Sequence, residues 1–491
     1  MFNVRTIAIA LAVGVTASAH AADRPNILLI LADDLGYGDV AAFRGDAPWT
    51  NYRPAPSDVS PPRTPRLDEL AGDNLRLTAF YSNCSVCSPT RAALMTGRYQ
   101  HRTGVVNVLG QLSKAMRRVV DDGEDVFDSL PRREITVADV LGDAGYRTAC
   151  FGKWHLGSPH RDHPMDYGFD HYVGAGDGAG DNFSMKRDDG SSYFWRDRDR
   201  VDAPGHWYTD VLADETIAWT TAKSDRPFFA YLALTAPHLP LIGPGDREIA
   251  NAWNEKGGVG PRNDLHQAYV DVVEGMDAAI GRVLDAMAES GLDDDTLVVF
   301  TSDNGPVDYG SCRPYRGRKT WLYEGGIRMP TIVRMPGGGV TGRRDGASMT
   351  MDLMPTFVAM AGGTMPADRT IDGIDLTEHW RRDRPLPDRT LFWEKPTGVH
   401  MNKFDVRRWA VRRGDDKAQL ERTGKPVELY RLADDPIEKH DVAPENASLV
   451  DELSGAFESW RRDVYADAPY DIDELIDDLR NVGVIESSGS P

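Results

Sequence analysis

The chain has 491 residues, 41% of them hydrophobic, enough for one large domain with an appendage or for two or three ordinary ones. Four cysteines exclude a disulfide scaffold, so an apolar core must supply the stability. A formal net charge of −20 argues against general nucleic-acid or membrane binding, yet a few local cations in a cleft still suit a small anionic substrate.

The first stretch, MFNVRTIAIALAVGVTASAHAADRP, reads as a secretory signal. Arg5 is the charge of its n-region, Ile7 to Val15 its apolar core, and Ala19-His20-Ala21 a small-x-small cleavage site. The apolar run is too short to span a bilayer comfortably, and no stop-transfer charges follow it. Residues 1–21 are therefore expected to be a signal peptide, and the mature chain to start near Ala22 in a secreted or periplasmic location.

Four apolar runs then end in polar residues. Asn26 to Ala32 precedes Asp33-Asp34, and Tyr146 to Phe151 precedes Gly152-Lys153-Trp154-His155. Phe228 to Leu234 precedes Thr235-Ala236-Pro237-His238, and Thr296 to Ser302 precedes Asp303-Asn304-Gly305. Runs without alternation suit strands buried on both faces. Helical patterns lie between them, over 65–74, 136–144 and 265–290. The last carries Val270, Val273, Met276, Ile280, Val283, Leu284 and Met287 at spacings of three and four. Strand–helix alternation predicts an α/β/α sandwich with a mainly parallel central sheet.

In such a sheet the strand carboxyl ends share one edge, where ligands bind. Asp33, Asp34, Lys153, His155, His238, Asp303 and Asn304 are expected to meet there. Carboxylates and an amide are the hard oxygen ligands that Ca²⁺ or Mg²⁺ prefers. Zinc suits the chain less, because there is no HExxH and Cys84 with Cys87 lacks a second ligand pair.

Within YSNCSVCSPTRAALMTGRY (81–99), Pro89 suits a first helical turn, Ser88 a cap and Gly97 a stop. Cys87 would then sit at the positive end of a short helix with Arg91 one turn away, a setting for an oxyanion, a thiolate or a bound anion. Three readings stay open for Cys87: a bridge to Cys84, a thiol nucleophile with His155 as base, or a precursor oxidised after synthesis.

CSPTRAALMTGR (87–98) resembles the signature of the type I sulfatases, Cys-x-Pro-Ser/Thr-Arg followed by x-x-x-Leu/Met-Thr-Gly-Arg. LADDLGYGD, TPRLDELA, GKWHLG, APHLP, TSDNGP, KTWLYEGGIRMP and DLMPT match in chain order, so the resemblance runs from about residue 25 to about 443. It implies the fold that sulfatases share with alkaline phosphatases. It also implies hydrolysis of sulfate esters, on sulfated carbohydrates or aryl sulfates, after a maturation enzyme has oxidised Cys87 to Cα-formylglycine. In that reading Asp33, Asp34, Asp303, Asn304 and residue 87 hold a divalent metal, Ca²⁺ first and Mg²⁺ second. A hydroxyl of the hydrated aldehyde attacks sulfur. Arg91 stabilises the hydrated aldehyde, His155 assists proton removal, and Lys153, His238 and Lys319 grip the sulfate, with His238 or Lys319 protonating the leaving oxygen. Two places depart from the pattern: Thr90 stands where serine is commoner, and Arg318 precedes Lys319 where many relatives carry glycine. A phosphonate or phosphate ester hydrolase, or a non-catalytic protein that binds sulfated glycans, is the alternative.

The catalytic domain is expected over 22–363 and a smaller α+β subdomain over 364–491. Strand-like runs at Thr390–Glu394, Arg408–Arg412 and Glu428–Arg431 and a helical run at Ala447–Val464 suggest an antiparallel sheet with a helix packed on it. An acidic tail follows. The Gly/Asp segment 174–182 and the basic run Lys114 to Arg118 are read as a turn and a solvated face.

Overall fold

The computed structural model describes residues 24–47, 49, 56–57, 59–109, 129–176, 182–186, 191–203, 205–253, 260–395, 408–420 and 425–469. The signal stretch, the Lys114–Arg118 run, the centre of the Gly/Asp segment and the acidic tail lie outside them.

The predicted runs form β1 (Asn26–Ala32), β2 (Arg147–Gly152), β4 (Phe228–Ala233) and β5 (Thr296–Ser302), and β3 (His171–Ala175) is added, its last two residues belonging to the Gly/Asp segment read as a turn. They stand side by side as β5-β1-β4-β2-β3, every pair parallel, at the centre of a ten-stranded sheet. The flanks are short strands. Thr331–Arg334 pairs antiparallel with β5 and Phe194–Arg196 antiparallel with β3.

The register sets one edge. Ala32 lies opposite Ser302, Leu31 opposite Ala233, and Gly152 opposite Ala233, so the residues that follow these strands emerge at one level.

Continuous hydrophobicity in β1 is explained by two cores. Leu28 and Ile30 face the helices Tyr208–Thr220 and Leu265–Glu289, while Ile27, Leu29 and Leu31 face Cys87–Thr96, Val137–Asp143 and Leu353–Met360. Each side chain so buried contributes roughly 1.5–3 kcal/mol. The helix expected over 136–144 begins with Thr136 and Asp139 in a reciprocal capping box.

The C-terminal sheet has four antiparallel strands: β6 (Thr390–Lys395), β7 (Arg408–Arg413), β8 (Asp416–Leu420) and β9 (Glu428–Arg431). β8, DKAQL, escaped the sequence reading because its inward residues are Lys417 and Gln419, which are polar yet fully buried. One face meets the helix Ala447–Ala466, where Phe392 stacks on Trp460 and Trp409 on Phe457 at centroid distances of 5.0 and 4.8 Å. The other face packs on the segment that leads into the helix Cys87–Thr96: Trp393 donates to the Ser82 carbonyl (2.8 Å) and its ring meets Tyr81.

Lys417, fully buried, reaches from that face to the Leu322 carbonyl (2.8 Å), Glu324 (3.0 Å) and Glu438 (2.8 Å). Burial works to raise both carboxyls; Lys417 and Arg328 outweigh it at Glu324 and bring it to about 2, whereas Glu438, beside that charge, stands up at about 7. Lys417→Met would leave Glu438 without its cation and Glu324 with Arg328 alone. It is expected to cost about 3–5 kcal/mol, read as a lower denaturant midpoint.

Candidate active site

Cys87 opens the helix Cys87–Thr96, after Val86 in extended conformation, and Gly97 closes it at φ 68° in the left-handed region, as its position predicts. Ser88 does not cap the helix; its hydroxyl accepts from the Leu109 N–H at 3.1 Å. Thr90 instead ties the helix start to the preceding turn, accepting from the Cys84 N–H and bonding the Cys84 and Val86 carbonyls. All four cysteines are free, so the bridge considered between Cys84 and Cys87 does not form.

The helix places Cys87 against the sheet edge. Its Sγ lies 3.5 Å from Asp33 Oδ1 and 3.5 Å from Lys319 Nζ. Lys153 donates to Asp33 (2.5 Å), and Lys319 donates to both oxygens of Asp34 (2.6 and 2.8 Å). Arg91 forks onto Asp303 through Nε (3.1 Å) and Nη2 (2.8 Å), and donates from Nη1 to the Lys153 carbonyl (3.0 Å) and the Tyr231 hydroxyl (3.3 Å). Asn304 donates to Asp34 (2.6 Å). His238 Nε2 stands 3.6 Å from Asp34. His155 is buried beside them, where the Lys153 and Arg91 charges act against its protonation. Every candidate residue is thus in one cluster. Tyr231, in the middle of β4, was not foreseen; a lone hydroxyl inside FFAYLA was its only signal.

Asp34 and His155, and Thr320 next to Lys319, hold positive φ of 67°, 55° and 75°. The cost is roughly 1–2 kcal/mol for each. Backbone bonds offset it: Asp34 N to Asp303, His155 N to Gly176 O, and Thr320 N to Ser85 O. Gly305 fits because a Cβ there would stand 2.2 Å from the Gly325 carbonyl, where the turn carrying Asn304 meets the helix Glu324–Ile327.

The floor of the cluster is closed and its rim open. Asp33, Asp34, Arg91, Asp303 and Asn304 are inaccessible, while the side chains of His238 and Lys319 keep 23% and 13% of their surface. Burial acts to raise Asp33, but Lys153, His238 and Arg91 outweigh it and hold that carboxyl well below its ordinary range. Asp303 rises to about 7 through burial and the neighbouring Asp33 charge. Burial, with the Lys153 and Arg91 charges, keeps His155 neutral. His238 is also lowered, mainly by burial.

The Cys87 thiol is pushed up to about 12 by burial, and Asp33 and Asp303 add to this against Lys153 and Lys319. The helix start and Arg91, expected to favour a thiolate, do not prevail. Arg91 spends its fork on Asp303, and two carboxylates face the sulfur. A thiolate nucleophile is therefore disfavoured.

The donors fit a hard cation. Among the described residues, Asp33, Asp34, Cys87 and His238 bring one ligand atom each to within 4.8 Å of one another. Asn304 Oδ1 is buried without a partner. His238 Nδ1 bonds the Leu239 carbonyl at 2.6 Å, so Nε2 turns its lone pair toward Asp34, and two acceptors face each other. A cation between these groups would satisfy them and release Lys153 and Lys319 from the carboxylates. Arg318, beside Lys319, pairs with Asp308.

The sulfatase family model matches residues 25–363. Human arylsulfatase A is 32% identical over 421 residues, covering 79% of this chain and 73% of that one. Mouse N-acetylgalactosamine-6-sulfatase is 30% identical over 421 residues, covering 80% and 73%. Among solved structures, Ps i-CgsB in complex with k-i-k-neocarrahexaose is similar at a TM-score of 0.75 and 27% identity, over 94% of this chain and 98% of that one. No helix among the described residues is long and apolar enough to cross a membrane.

Proposed function

The chain belongs to the sulfatase family and hydrolyses sulfuric esters, and from that premise we propose that it desulfates carbohydrates, with Cys87 as the precursor of its formylglycine. The observation that carries the Cys87 assignment is the setting of the thiol. It is surrounded by Asp33, Lys319 and the Arg91–Asp303 pair, and burial pushes it up to about 12, which disfavours the thiolate that a cysteine nucleophile would need. Export through the N-terminal signal and oxidation by a formylglycine-generating enzyme acting on CSPTR belong to the same reading.

Formylglycine, once hydrated, supplies two hydroxyls, one to attack sulfur and one whose deprotonation expels sulfate. We assign Asp33, Asp34, Asp303, Asn304 and the oxygen of residue 87 to a divalent cation, Ca²⁺ by the oxygen-rich donor set, which would orient that oxygen and neutralise sulfate charge.

The chain's own residues do the rest. Arg91, locked on Asp303 and the Lys153 carbonyl, fixes the helix start against the sheet edge and places positive charge beneath residue 87. Lys153 and Lys319 present ammonium protons to the sulfate oxygens, where charge accumulates. His155, held neutral, takes the proton from residue 87. His238 and Lys319 line the open rim, the side from which the leaving alcohol departs, and one of them returns a proton to its oxygen.

Two experiments test this. On a panel of 4-nitrophenyl sulfate, sulfated galactosamine and 4-nitrophenyl phosphate, the sulfate esters should turn over faster by a factor of about 10² or more; the reverse order would move the protein to phosphate ester chemistry. Chelation should abolish sulfate release and Ca²⁺ should restore it. Ca²⁺ at a hundredfold its Kd should also stabilise the fold by about 2.7 kcal/mol, read as a higher Tm.

A further inference from the structure

The segment 319–324 joins Lys319 to the helix Glu324–Ile327, and the C-terminal sheet with the chain just after β9 grips it at every second residue. Arg408 Nη1 donates to the Thr320 carbonyl at 2.7 Å, Lys417 Nζ donates to the Leu322 carbonyl at 2.8 Å, and the Glu324 N–H donates to Glu438 Oε2 at 2.6 Å. Arg408 and Arg412 share one face of β7, and Lys417 of β8 lies opposite Arg412, so both donors leave the face that carries Trp393. Leu322 itself is fully buried in one apolar cluster with Trp393 and Trp409. Thr320 is the strained point of the segment. Its φ of 75° lies in the left-handed region, which a β-branched residue keeps only where its surroundings over-determine it. It is held on both sides: its N–H donates to the Ser85 carbonyl (2.9 Å), two residues before Cys87, and its carbonyl accepts from Arg408. Lys319, one residue earlier, reaches both Asp34 oxygens and lies 3.5 Å from Cys87 Sγ. A change of φ at Thr320 therefore swings Lys319 against the anchored Leu322 and Glu324.

We propose that Arg408 is a positioning residue for Lys319: by fixing the Thr320 carbonyl it holds the turn that aims the Lys319 ammonium at Asp34 and residue 87, while Lys417 and Glu438 anchor the far end of the segment. The inference rests on the assignment of Lys319 to the sulfate and deepens it. Of the two lysines that meet the sulfate, Lys319 is set from the C-terminal sheet. Lys153 is set from the central sheet, its N–H donating to the Ala233 carbonyl at the end of β4 (2.8 Å). The effect of Arg408 should therefore pass through Lys319 alone.

The test is a double-mutant cycle on the full-length protein, read as kcat/KM for sulfate release from 4-nitrophenyl sulfate per converted residue 87. Lys319→Ala should lower it by about 10² or more. Arg408→Met should lower it about tenfold, because a displacement of about 1 Å in a group that meets the transition state is felt at that scale. In the Lys319→Ala protein the same Arg408→Met change should cost less than about twofold, since nothing is left for it to aim. A merely structural arginine would cost the same factor in both backgrounds. The cycle is run with Arg408→Gln as well as Arg408→Met, on preparations whose thermal midpoint lies above the assay temperature, so a variant that folds poorly does not decide the result. Equal losses in the two backgrounds, or no loss from Arg408→Met and Arg408→Gln in the parent, overturns the positioning role and leaves the assignment of Lys319 intact. Parental turnover in Lys319→Ala sinks that assignment, and the positioning role with it.

Discussion

Cys87→Ala is expected to lower the rate of sulfate release by about 10⁴ or more while leaving a folded protein. The residue is 2% exposed, and its Sγ lies within hydrogen-bond reach of Asp33 and Lys319. Removing one sulfur from a small buried side chain costs about 1–2 kcal/mol of stability, too little to unfold a domain of this size. The neighbours Arg91, Lys153 and Lys319 keep their carboxylate partners without Cys87, so sulfate binding should survive the loss of turnover. Activity and the thermal midpoint measured on the same preparation separate the two effects. Retained turnover in the alanine protein would mean that the nucleophile lies elsewhere.

Arg91→Met should damage both stability and activity. The arginine is fully buried, forks onto Asp303, approaches Asp33 at 3.7 Å, and bonds the Lys153 carbonyl. Its charge stays firmly protonated, because the nearby Tyr231, Asp303 and Asp33 outweigh the effect of burial. Methionine would fill most of the volume but leave Asp303 without its cation. The expected cost is about 3–5 kcal/mol, seen as a lower denaturant midpoint, with sulfate release reduced in the fraction that remains folded. Arg91→Lys restores a charge but not the planar fork, so stability should return in part and activity should not. An unchanged midpoint in the methionine protein would remove Arg91 from the account of the cluster.

The parallel core was legible because its strands are buried on both faces: β1, β2, β4 and β5 were found within one residue of their bounds from unbroken hydrophobicity alone. The same runs located Asp33, Asp34, Lys153, His155, His238, Asp303 and Asn304, since each polar residue that follows a strand emerges at one level of the sheet, whereas Cys87, Arg91 and Lys319 come from other segments. What the sequence hid was polar residues used as interior ones. Lys417 and Gln419 make β8 look like a loop, although Lys417 holds two buried glutamates across the domain junction. Tyr231 and the tie that Thr90 makes to the preceding turn were equally silent, because a hydroxyl inside an apolar strand or a helix start does not announce its partner. The state of the Cys87 thiol could not be read either: it depends on carboxylates 54 and more residues away in the chain.

The central claim, that residue 87 works as formylglycine and not as cysteine, is tested most directly by peptide mass spectrometry on protein made in its own host. Trypsin should release Leu77–Arg91, LTAFYSNCSVCSPTR, which carries both Cys84 and Cys87. Oxidation of the thiol to an aldehyde lowers the mass by about 18 Da. Fragment ions should place that loss at residue 87 and leave Cys84 as an ordinary thiol. An active preparation whose Cys87 carries no such loss would contradict the account and return a buried, protonated cysteine to consideration as the nucleophile.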